Sequence, residues 1–295
     1  MTSRNQKFSV GIVGVGNMGG GMARNLLSKG WPVSVCDIDL EKVRNLEKIG
    51  ALSREKPSQV AINSVVTIVC VVDAKQSHEV LFGEQGIALN LKPGGTVVMC
   101  PTLAPEDVEG FAQSLQPLAV RLIDAPMSGG PARAADGTMS LMVACRNDVF
   151  EQHTALLNAL SDKLFHVSQK VGDAARTKLV NNLLAGINLV GAAEAMAMAK
   201  KMGLDLSRTL DVIERSSGQS WVGSDRMRRA IAGDYAPRAH MTLLEKDTRL
   251  AVAAARSANF DGPLGTAASQ VFAAASAGGL ESEDDAALFK WLSRS

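Results

Sequence analysis

The sequence predicts a doubly wound α/β domain with a mainly parallel sheet, joined by a long helix to an all-α domain. Two observations carry this prediction. Short apolar runs typical of buried strands alternate with helical patterns from residue 8 to residue 167. From about Gln169 the strand-like runs cease, and a proline-free run of strong helix formers continues to Met202. We therefore predict an α/β domain over residues 1–168 and a helical domain over residues 169–295.

Length and composition fit this division and limit the function. A chain of 295 residues is long for one hydrophobic core and sufficient for two. The formal net charge of +1 gives no electrostatic reason to expect nucleic acid or an anionic membrane as a partner. The N-terminus lacks a signal-peptide core, and Asn188, Glu194 and Lys200 interrupt the longest apolar run. We therefore expect a cytoplasmic protein without a membrane span.

The cysteines and histidines indicate neither a disulfide framework nor a metal site. The four cysteines are far apart, without a C-x-x-C pair, and each lies in or at the end of an apolar strand-like run. We interpret them as reduced thiols, as expected in the cytosol. The four histidines have no ligand spacing, so we predict no bound metal. These residues are Cys36, Cys70, Cys100, Cys145, His78, His153, His166 and His240.

The first strand-like run, residues 8–13, leads directly into a G-x-G-x-x-G sequence and then a helical pattern that ends at Gly30. The glycine spacing alone is weak, but between a strand and a helix it is typical of a Rossmann turn that binds a dinucleotide pyrophosphate. The first glycine makes the tight turn, the second admits the phosphates, and the third lets the helix pack on the strand. The predicted cofactor contacts are Gly14, Gly16, Asn17, Met18 and Gly19.

Asp37 ends the second strand-like run, about eighteen residues after Gly19. A carboxylate at this place accepts hydrogen bonds from the adenosine ribose hydroxyls and repels a 2′-phosphate, which favours NAD over NADP. Alternatively, Asp37 or Asp39 caps the helix that starts at Leu40. Asp39 suits the capping role better, which leaves Asp37 free for the ribose.

Later strand-like runs also end in candidate ligand contacts, because a doubly wound sheet binds ligands at the carboxyl ends of its strands. Val72 and Thr102 follow two such ends, although both are equally well explained as ordinary turn residues. Ser128, Gly129 and Gly130 follow another end, where a hydroxyl and successive N–H groups suit a small carboxylate. The alternative for these three residues is a glycine turn between strands.

The long helix carries a cation and an amide, Lys178 and Asn182, four residues apart and therefore on one face. Both are costly to bury without a partner. For an isolated lysine, the simplest alternative is a side chain that extends to solvent. Lys246 lies between two acids on a later helix, and taken alone it is best explained by a solvated helix face.

Together these segments resemble the signatures of the β-hydroxyacid dehydrogenase family, in the family's order and over essentially the whole chain. The matching segments are residues 14–19, 124–130, 172–182 and 246–247. Residues 71–76, 80–83, 193–199 and 233–237 are most similar to the branch acting on four-carbon sugar acids such as L-threonate. Two positions depart from the family pattern: residue 72 is often proline but here is Val, and residue 101 is often serine but here is Pro.

The resemblance implies reversible NAD-dependent oxidation of a small hydroxy acid, with L-threonate or a related sugar acid favoured, by a homodimer or homotetramer. It implies that Lys178 is the general acid/base and that Asn182 helps to hold the substrate. Ser128, Gly129 and Gly130 would bind the substrate carboxylate, and Thr102 and Lys246 would lie near the nicotinamide. Alternatives are a 3-hydroxyisobutyrate dehydrogenase or a tartronate or succinic semialdehyde reductase. An imine reductase or a non-catalytic NAD-binding protein ranks lower, because such relatives tend to lack the lysine.

Overall fold

The chain forms two compact units in a computed structural model that describes residues 7–294. The units divide between Lys178 and Leu179. The predicted domain boundary, between residues 168 and 169, follows the last strand of the sheet, whereas the units divide inside the helix that comes next. The two units are described separately below.

The first unit is built on a nine-stranded sheet in the order β3-β2-β1-β4-β5-β6-β8-β7, with β9 paired to β8. Strands β1 to β6 run parallel, and β8 is antiparallel to β6 and β7. The chain moves outward from β1 in both directions, which confirms the predicted doubly wound fold. The strands are β1 (Val10–Val13), β2 (Val33–Cys36), β3 (Leu52–Ser53), β4 (Val66–Val69), β5 (Thr96–Met99), β6 (Arg121–Asp124), β7 (Met127–Ser128), β8 (Met139–Ala144) and β9 (Ser161–Ser168).

Helices connect these strands, and α2 begins at Leu40, where the sequence predicts a helix start. Asp39 accepts hydrogen bonds from two N–H groups in the first turn of α2, and Asp73 caps α4 in the same way. Five elements were not predicted, and most of them are too short to show a clear period: α3, α6, α7, β3 and β7. The helices are α1 (Asn17–Ser28), α2 (Leu40–Glu47), α3 (Pro57–Ile62), α4 (Ala74–Phe82), α5 (Pro105–Leu115), α6 (Gly130–Asp136) and α7 (Asn147–Leu160).

Both faces of the central strands are buried, which explains their uninterrupted apolar sequences. On one face, Ile12 and Ile68 pack in a cluster that includes residues of α1 and α7. On the other face, Val13 and Val69 pack with residues of α4 and α5. The neighbouring strands β1, β4 and β5 pair in register, so their carboxyl ends meet at one edge of the sheet.

A buried histidine lies in this unit, near the amino end of β5. The Nε2 atom of His153 on α7 lies 2.9 Å from the hydroxyl oxygen of Thr96, and its Nδ1 atom has no hydrogen-bond partner among the described residues. The side chain is 1% exposed, and the ring of Phe8 packs edge-on against it. Burial, assisted by the charge of Arg121, lowers the pKa of His153 to about 4.

This histidine should make stability depend on pH. An unfolded histidine takes up its proton near pH 6.5, whereas folded His153 takes it up near pH 4. Its stabilising contribution is therefore complete above pH 6.5 and is lost as the pH falls towards 4, by about 3 kcal/mol in total. We expect the free energy of unfolding of His153→Gln to fall less between pH 7.5 and pH 4.5 than that of the wild type. The exposed His78→Gln serves as the control, and equal losses in all three proteins would contradict this explanation.

The second unit is helical, as predicted. Its first helix, α8, is long and apolar enough to cross a membrane by length and composition alone. In this fold, Leu189, Ala193 and Met196 of α8 lie instead in the buried core of the helical unit. Gly203, with a φ of +73°, ends the segment as a C-cap residue. The helices are α8 (Asp173–Lys201), α9 (Leu206–Glu214), α10 (Trp221–Ile231), α11 (Met241–Ser257), α12 (Pro263–Ala275) and α13 (Leu288–Leu292).

Ion pairs hold the C-terminal segment onto the helical unit. Arg229 on α10 donates a 2.7 Å hydrogen bond to Asp284, and Arg226 donates a 2.7 Å hydrogen bond to Asp285. The second oxygen of Asp284 accepts backbone N–H groups of Arg238 and Ala239, so this buried charge has several partners. The acidic sequence at residues 283–286 therefore has a structural role in this unit.

Candidate active site

The glycine turn between β1 and α1 fits a dinucleotide. Gly14 has a φ of +89°, and a Cβ atom on Gly19 would lie 2.0 Å from the carbonyl oxygen of Gly14, so both positions require glycine. By contrast, a Cβ atom on Gly16 would meet no atom within 4 Å, which shows that this side of the turn is open. The first turn of α1 has no side-chain cap and no acidic residue, and its N–H groups can therefore bind an anion such as pyrophosphate.

Asp37, at the end of β2, has a further structural role that the sequence did not indicate. Asp39 caps α2, as predicted. However, Asp37 is not free of other contacts, because Oδ2 accepts the N–H of Val15 at 2.6 Å and Oδ1 accepts the N–H of Asp39 at 2.9 Å. These bonds tie the end of β2 to the glycine turn. Each carboxylate oxygen retains lone-pair capacity, so the group can still accept a ribose hydroxyl.

Val72 and Thr102 follow the ends of β4 and β5, whose final residues Val69 and Met99 are direct neighbours in the sheet. Both residues therefore lie in loops at the carboxyl ends of the strands, where a doubly wound sheet binds ligands. Val72 is exposed, and its N–H donates to the side-chain oxygen of Gln76 at 3.1 Å. Thr102 is half-buried.

Ser128, Gly129 and Gly130 form the passage from β7 into α6. Gly129 and Gly130 both have positive φ values, +136° and +76°, which places successive N–H groups in a conformation open to few other residues. The alternative of a glycine turn between two strands is therefore wrong, because the turn leads from a strand into a helix. A Cβ atom on Gly129 would lie 2.8 Å from the Cδ atom of Arg133, so the arginine stem covers this glycine.

The Ser128–Gly130 segment lies beside the glycine turn because α6 packs closely on α1. A Cβ atom on Gly21 of α1 would lie 2.9 Å from the Cβ atom of Ala134. Further along α1, a Cβ atom on Gly137, the residue directly after α6, would lie 2.7 Å from Oδ1 of Asn25. These two contacts occur in the same order on both helices, so the helices run parallel and their first turns are neighbours. One edge of the first unit thus presents the dinucleotide turn and the glycine pair side by side.

Lys178 is buried in the structure, with 6% of its surface exposed. The alternative of a side chain that extends to solvent is therefore wrong. Its helix, α8, starts at Asp173, directly after a glycine with a φ of +97°. Asp124 at the end of β6 accepts the N–H groups of Gly172 and Ala175, at 2.9 Å and 3.0 Å. Asp124 belongs to the 124–130 segment, but nothing in the sequence indicates this contact.

In the helical unit, a buried acid connects the other two predicted site residues. Asn182, 8% exposed, donates from Nδ2 to Oδ2 of Asp247 at 2.6 Å. The amine of Lys246 lies 3.0 Å from Oδ1 of the same carboxylate, and the Lys246 side chain is 17% exposed. The simplest reading of Lys246, a solvated helix face, is therefore wrong. Sequence analysis missed the role of Asp247, because nothing in the sequence indicates its contact with a residue 65 positions earlier.

The described residues, 7–294, contain no cluster of three or more His, Cys, Asp or Glu side chains placed to bind a metal ion. The four cysteines are free thiols. Burial raises the pKa of Cys36 to about 11 and that of Cys145 to about 12, so neither ionises readily at neutral pH.

Comparison with known proteins assigns both halves of the chain. Residues 9–168 match the profile of the NAD-binding domain of 6-phosphogluconate dehydrogenase. Residues 172–292 match the profile described as NAD-binding of NADP-dependent 3-hydroxyisobutyrate dehydrogenase. An L-threonate dehydrogenase of Haemophilus influenzae is 36% identical over 296 aligned positions, covering 98% of this chain and 96% of the relative.

Two solved structures are also similar over nearly the whole chain. A structure of 3-hydroxyisobutyrate dehydrogenase from Salmonella typhimurium has a TM-score of 0.91 at 34% identity, with 97% of this chain and 100% of that chain covered. Psf3, solved in complex with NADP⁺ and 2-OPP, has a TM-score of 0.89 at 28% identity, with 96% of this chain and 99% of that chain covered.

Proposed function

The chain belongs to the 3-hydroxyisobutyrate dehydrogenase family of NAD(P)-dependent hydroxyacid dehydrogenases, and within it we propose that this protein reversibly oxidises L-threonate or a related four-carbon sugar acid with NAD. The near-full-length similarity to L-threonate dehydrogenases supports this substrate class. The catalytic role proposed for Lys178 rests on its burial near the start of α8, in the unit that also contains the glycine turn between β1 and α1. A cytoplasmic setting is part of the proposal and is supported by the four free cysteines.

Lys178 acts as the general acid/base. In oxidation its neutral amine accepts the proton of the substrate hydroxyl, and in reduction the protonated amine returns a proton to the forming alkoxide. When bound, the nicotinamide ring accepts or supplies the hydride. The residues proposed to hold the cofactor are Gly14, Gly16, Asn17, Met18, Gly19, Asp37, Val72, Thr102 and Lys246.

The substrate is held by two polar groups of different character. Its carboxylate accepts hydrogen bonds from the hydroxyl of Ser128 and from the N–H groups of Gly129 and Gly130. The positive φ values of the two glycines support this role. Asn182 provides a second contact. One N–H of its amide donates to Asp247, which orients the amide and leaves the other N–H for a substrate oxygen. A small carboxylate is the ligand class that the Ser128–Gly130 segment suits.

The cofactor preference depends on the negative charge of Asp37. We expect NADP to bind at least about tenfold more weakly than NAD, a difference of about 1.4 kcal/mol, because its 2′-phosphate would meet this carboxylate. Asp37→Asn should narrow that difference while its side-chain oxygen still accepts a backbone N–H. Fluorescence titration of each dinucleotide measures both constants, and Asp39→Asn, which changes the neighbouring cap of α2, is the control. A wild type that prefers NADP would contradict the assignment of Asp37.

The substrate proposal is tested by a panel of C3 to C6 hydroxy acids. Initial rates of NADH formation are measured for L-threonate, its stereoisomers, glycerate and 3-hydroxyisobutyrate. The expected result is the highest kcat/KM with a four-carbon acid, and lower values for shorter or branched acids. The amide of the best acid serves as a matched substrate, because it lacks the carboxylate charge that the Ser128–Gly130 segment binds. Preference for 3-hydroxyisobutyrate would instead assign the activity named for the Salmonella typhimurium structure.

The proposal extends to assembly of two or four copies through their helical units. Val180 and Leu184, four residues apart on α8, are both exposed apolar side chains. Phe260 and Leu264 are likewise exposed and border an apolar groove that also contains Ile187. A second copy of this chain would cover these side chains, as the family resemblance implies.

A further inference from the structure

We propose that Asp124 is a positioning residue that sets the place of Lys178 by holding the first turn of α8. Asp124 is the last residue of β6 and is 1% exposed. Its Oδ2 atom accepts the N–H groups of Gly172 and Ala175. N–H groups at a helix start have no partner within the helix, so a carboxylate from a neighbouring strand acts here as the missing cap. This inference rests on the proposed role of Lys178.

The Lys178 side chain starts one turn after the helical turn that Asp124 holds, and it leans back over that turn. Lys178 follows Ala174 by four residues and Ala175 by three, so the three residues share one side of the helix. Side chains on an α-helix lean towards its N-terminus, which directs the lysine stem back over this turn. A shift of the turn therefore moves the amine, although Asp124 is itself assigned no contact with substrate.

The same carboxylate also connects the lysine to the substrate-binding segment. Asp124 precedes Ser128 by four residues, and β7 follows β6 after only two residues. One buried group thus joins the strand that leads to the carboxylate-binding glycines with the start of the lysine helix. The expected consequence is a fixed spacing between the two places where the proposed substrate is held, its carboxylate and its hydroxyl.

The ionisation of Asp124 gives this role a pH signature. Burial, assisted by the charge of Asp173, raises the pKa of Asp124 to about 6, although the N–H groups of Ala175, Gly172 and Ala174 oppose the shift. The thiols of Cys100 and Cys145 also lie near enough for the charge of Asp124 to raise their pKa values. An ionised carboxylate is the stronger acceptor for N–H groups, so the hold on α8 should weaken as the pH falls through about 6.

A first experiment needs no substrate. Acetylation of lysines by an N-hydroxysuccinimide ester, followed by peptide mass spectrometry, reports how accessible Lys178 is. We expect Lys178 to react at least tenfold faster in Asp124→Ala than in the wild type, with exposed Lys200 and Lys201 unchanged. Glu109→Gln is the matched control, because it removes a more exposed ion pair with Arg176 on the same turn. Unchanged Lys178 reactivity in Asp124→Ala, despite a lower melting temperature, would overturn the proposal.

A second experiment uses the holoenzyme in the reduction direction, with NADH and the oxo acid formed from its best hydroxy acid, because a protonated Lys178 is the active form there and causes no acid limb of its own. The wild type should lose kcat below about pH 6 while remaining folded by circular dichroism, with the dissociation constant of NADH unchanged. Asp124→Asn keeps an oxygen acceptor without a titrating group, so it should fold and lose this limb of the profile. The same loss of kcat below about pH 6 in Asp124→Asn as in the wild type would overturn the proposal. If Asp124→Ala does not fold, Asp124→Asn alone provides the test. Absence of turnover in the wild type would reject the proposed function, whereas lysine acetylation still tests the positioning role.

Discussion

Replacing Lys178 with methionine is expected to lower kcat by about 10²- to 10⁴-fold, the usual contribution of a general acid/base, with little change in NAD affinity. Methionine has an unbranched side chain that fills the volume of the lysine stem, which is buried in the structure. The fold should therefore survive, while the group that accepts the hydroxyl proton is lost. Steady-state rates with the best hydroxy acid and a fluorescence titration of NAD measure the two effects.

Two further variants show whether the loss at Lys178 is chemical. Lys178→Arg keeps a positive charge and can donate hydrogen bonds, but arginine does not deprotonate in proteins. It should be nearly as inactive as the methionine variant. Lys201→Met changes an exposed lysine at the end of the same helix and should leave kcat unchanged. Turnover within tenfold of the wild type in Lys178→Met would contradict the assignment of the general acid/base.

Alanine at Gly19 is the second change with a large expected effect. Its Cβ atom would lie 2.0 Å from the backbone carbonyl oxygen of Gly14, and a backbone atom cannot move aside as a flexible side chain does. We expect Gly19→Ala to destabilise the chain by roughly 1–3 kcal/mol or more and to weaken NAD binding at least 100-fold. The glycine turn itself must shift, so both the packing of α1 on β1 and the approach to the pyrophosphate are disturbed. Denaturant unfolding and NAD titration measure these effects.

Gly16 provides the matched comparison. A Cβ atom there meets nothing within 4 Å, and the residue has a φ of −62°, so Gly16→Ala should retain wild-type stability. It should nevertheless weaken NAD binding, because the methyl group occupies the open side of the turn. Gly110→Ala, at an open position within α5, should be neutral or slightly stabilising and bind NAD normally. Equal NAD affinity in Gly16→Ala and Gly110→Ala would show that the dinucleotide does not lie against this turn.

Local patterns allowed the doubly wound fold to be predicted. The strands β1, β4 and β5 are short apolar runs buried on both faces, and a stretch of four such residues is recognisable without tertiary information. The start of α2 was also predictable, since Asp39 contacts groups only two and three residues away. By contrast, α7 begins without a side-chain cap, and only Asp148 in its first turn indicates its start.

The sequence indicates candidate site residues but not the contacts that connect them. The spacing of the glycines and the four-residue interval between Lys178 and Asn182 can be read directly from the sequence. The partners of these groups cannot, because they come from distant parts of the chain. Asp124 contacts residues 48 and 51 positions later, and no local rule indicates that contact. Asp37 shows the same limit, since its bond to Val15 depends on how β1 and β2 pair.

The central claim is that the amine of Lys178 accepts the hydroxyl proton of a hydroxy acid while NAD accepts the hydride. A single-turnover reaction tests it most directly, with enzyme in excess over NAD and L-threonate saturating, followed by NADH absorbance. The wild type should convert nearly all the NAD to NADH in one fast phase, whereas Lys178→Met should form almost none on that timescale. The same fast phase in both proteins, or none in the wild type with any acid of the panel, would contradict the claim.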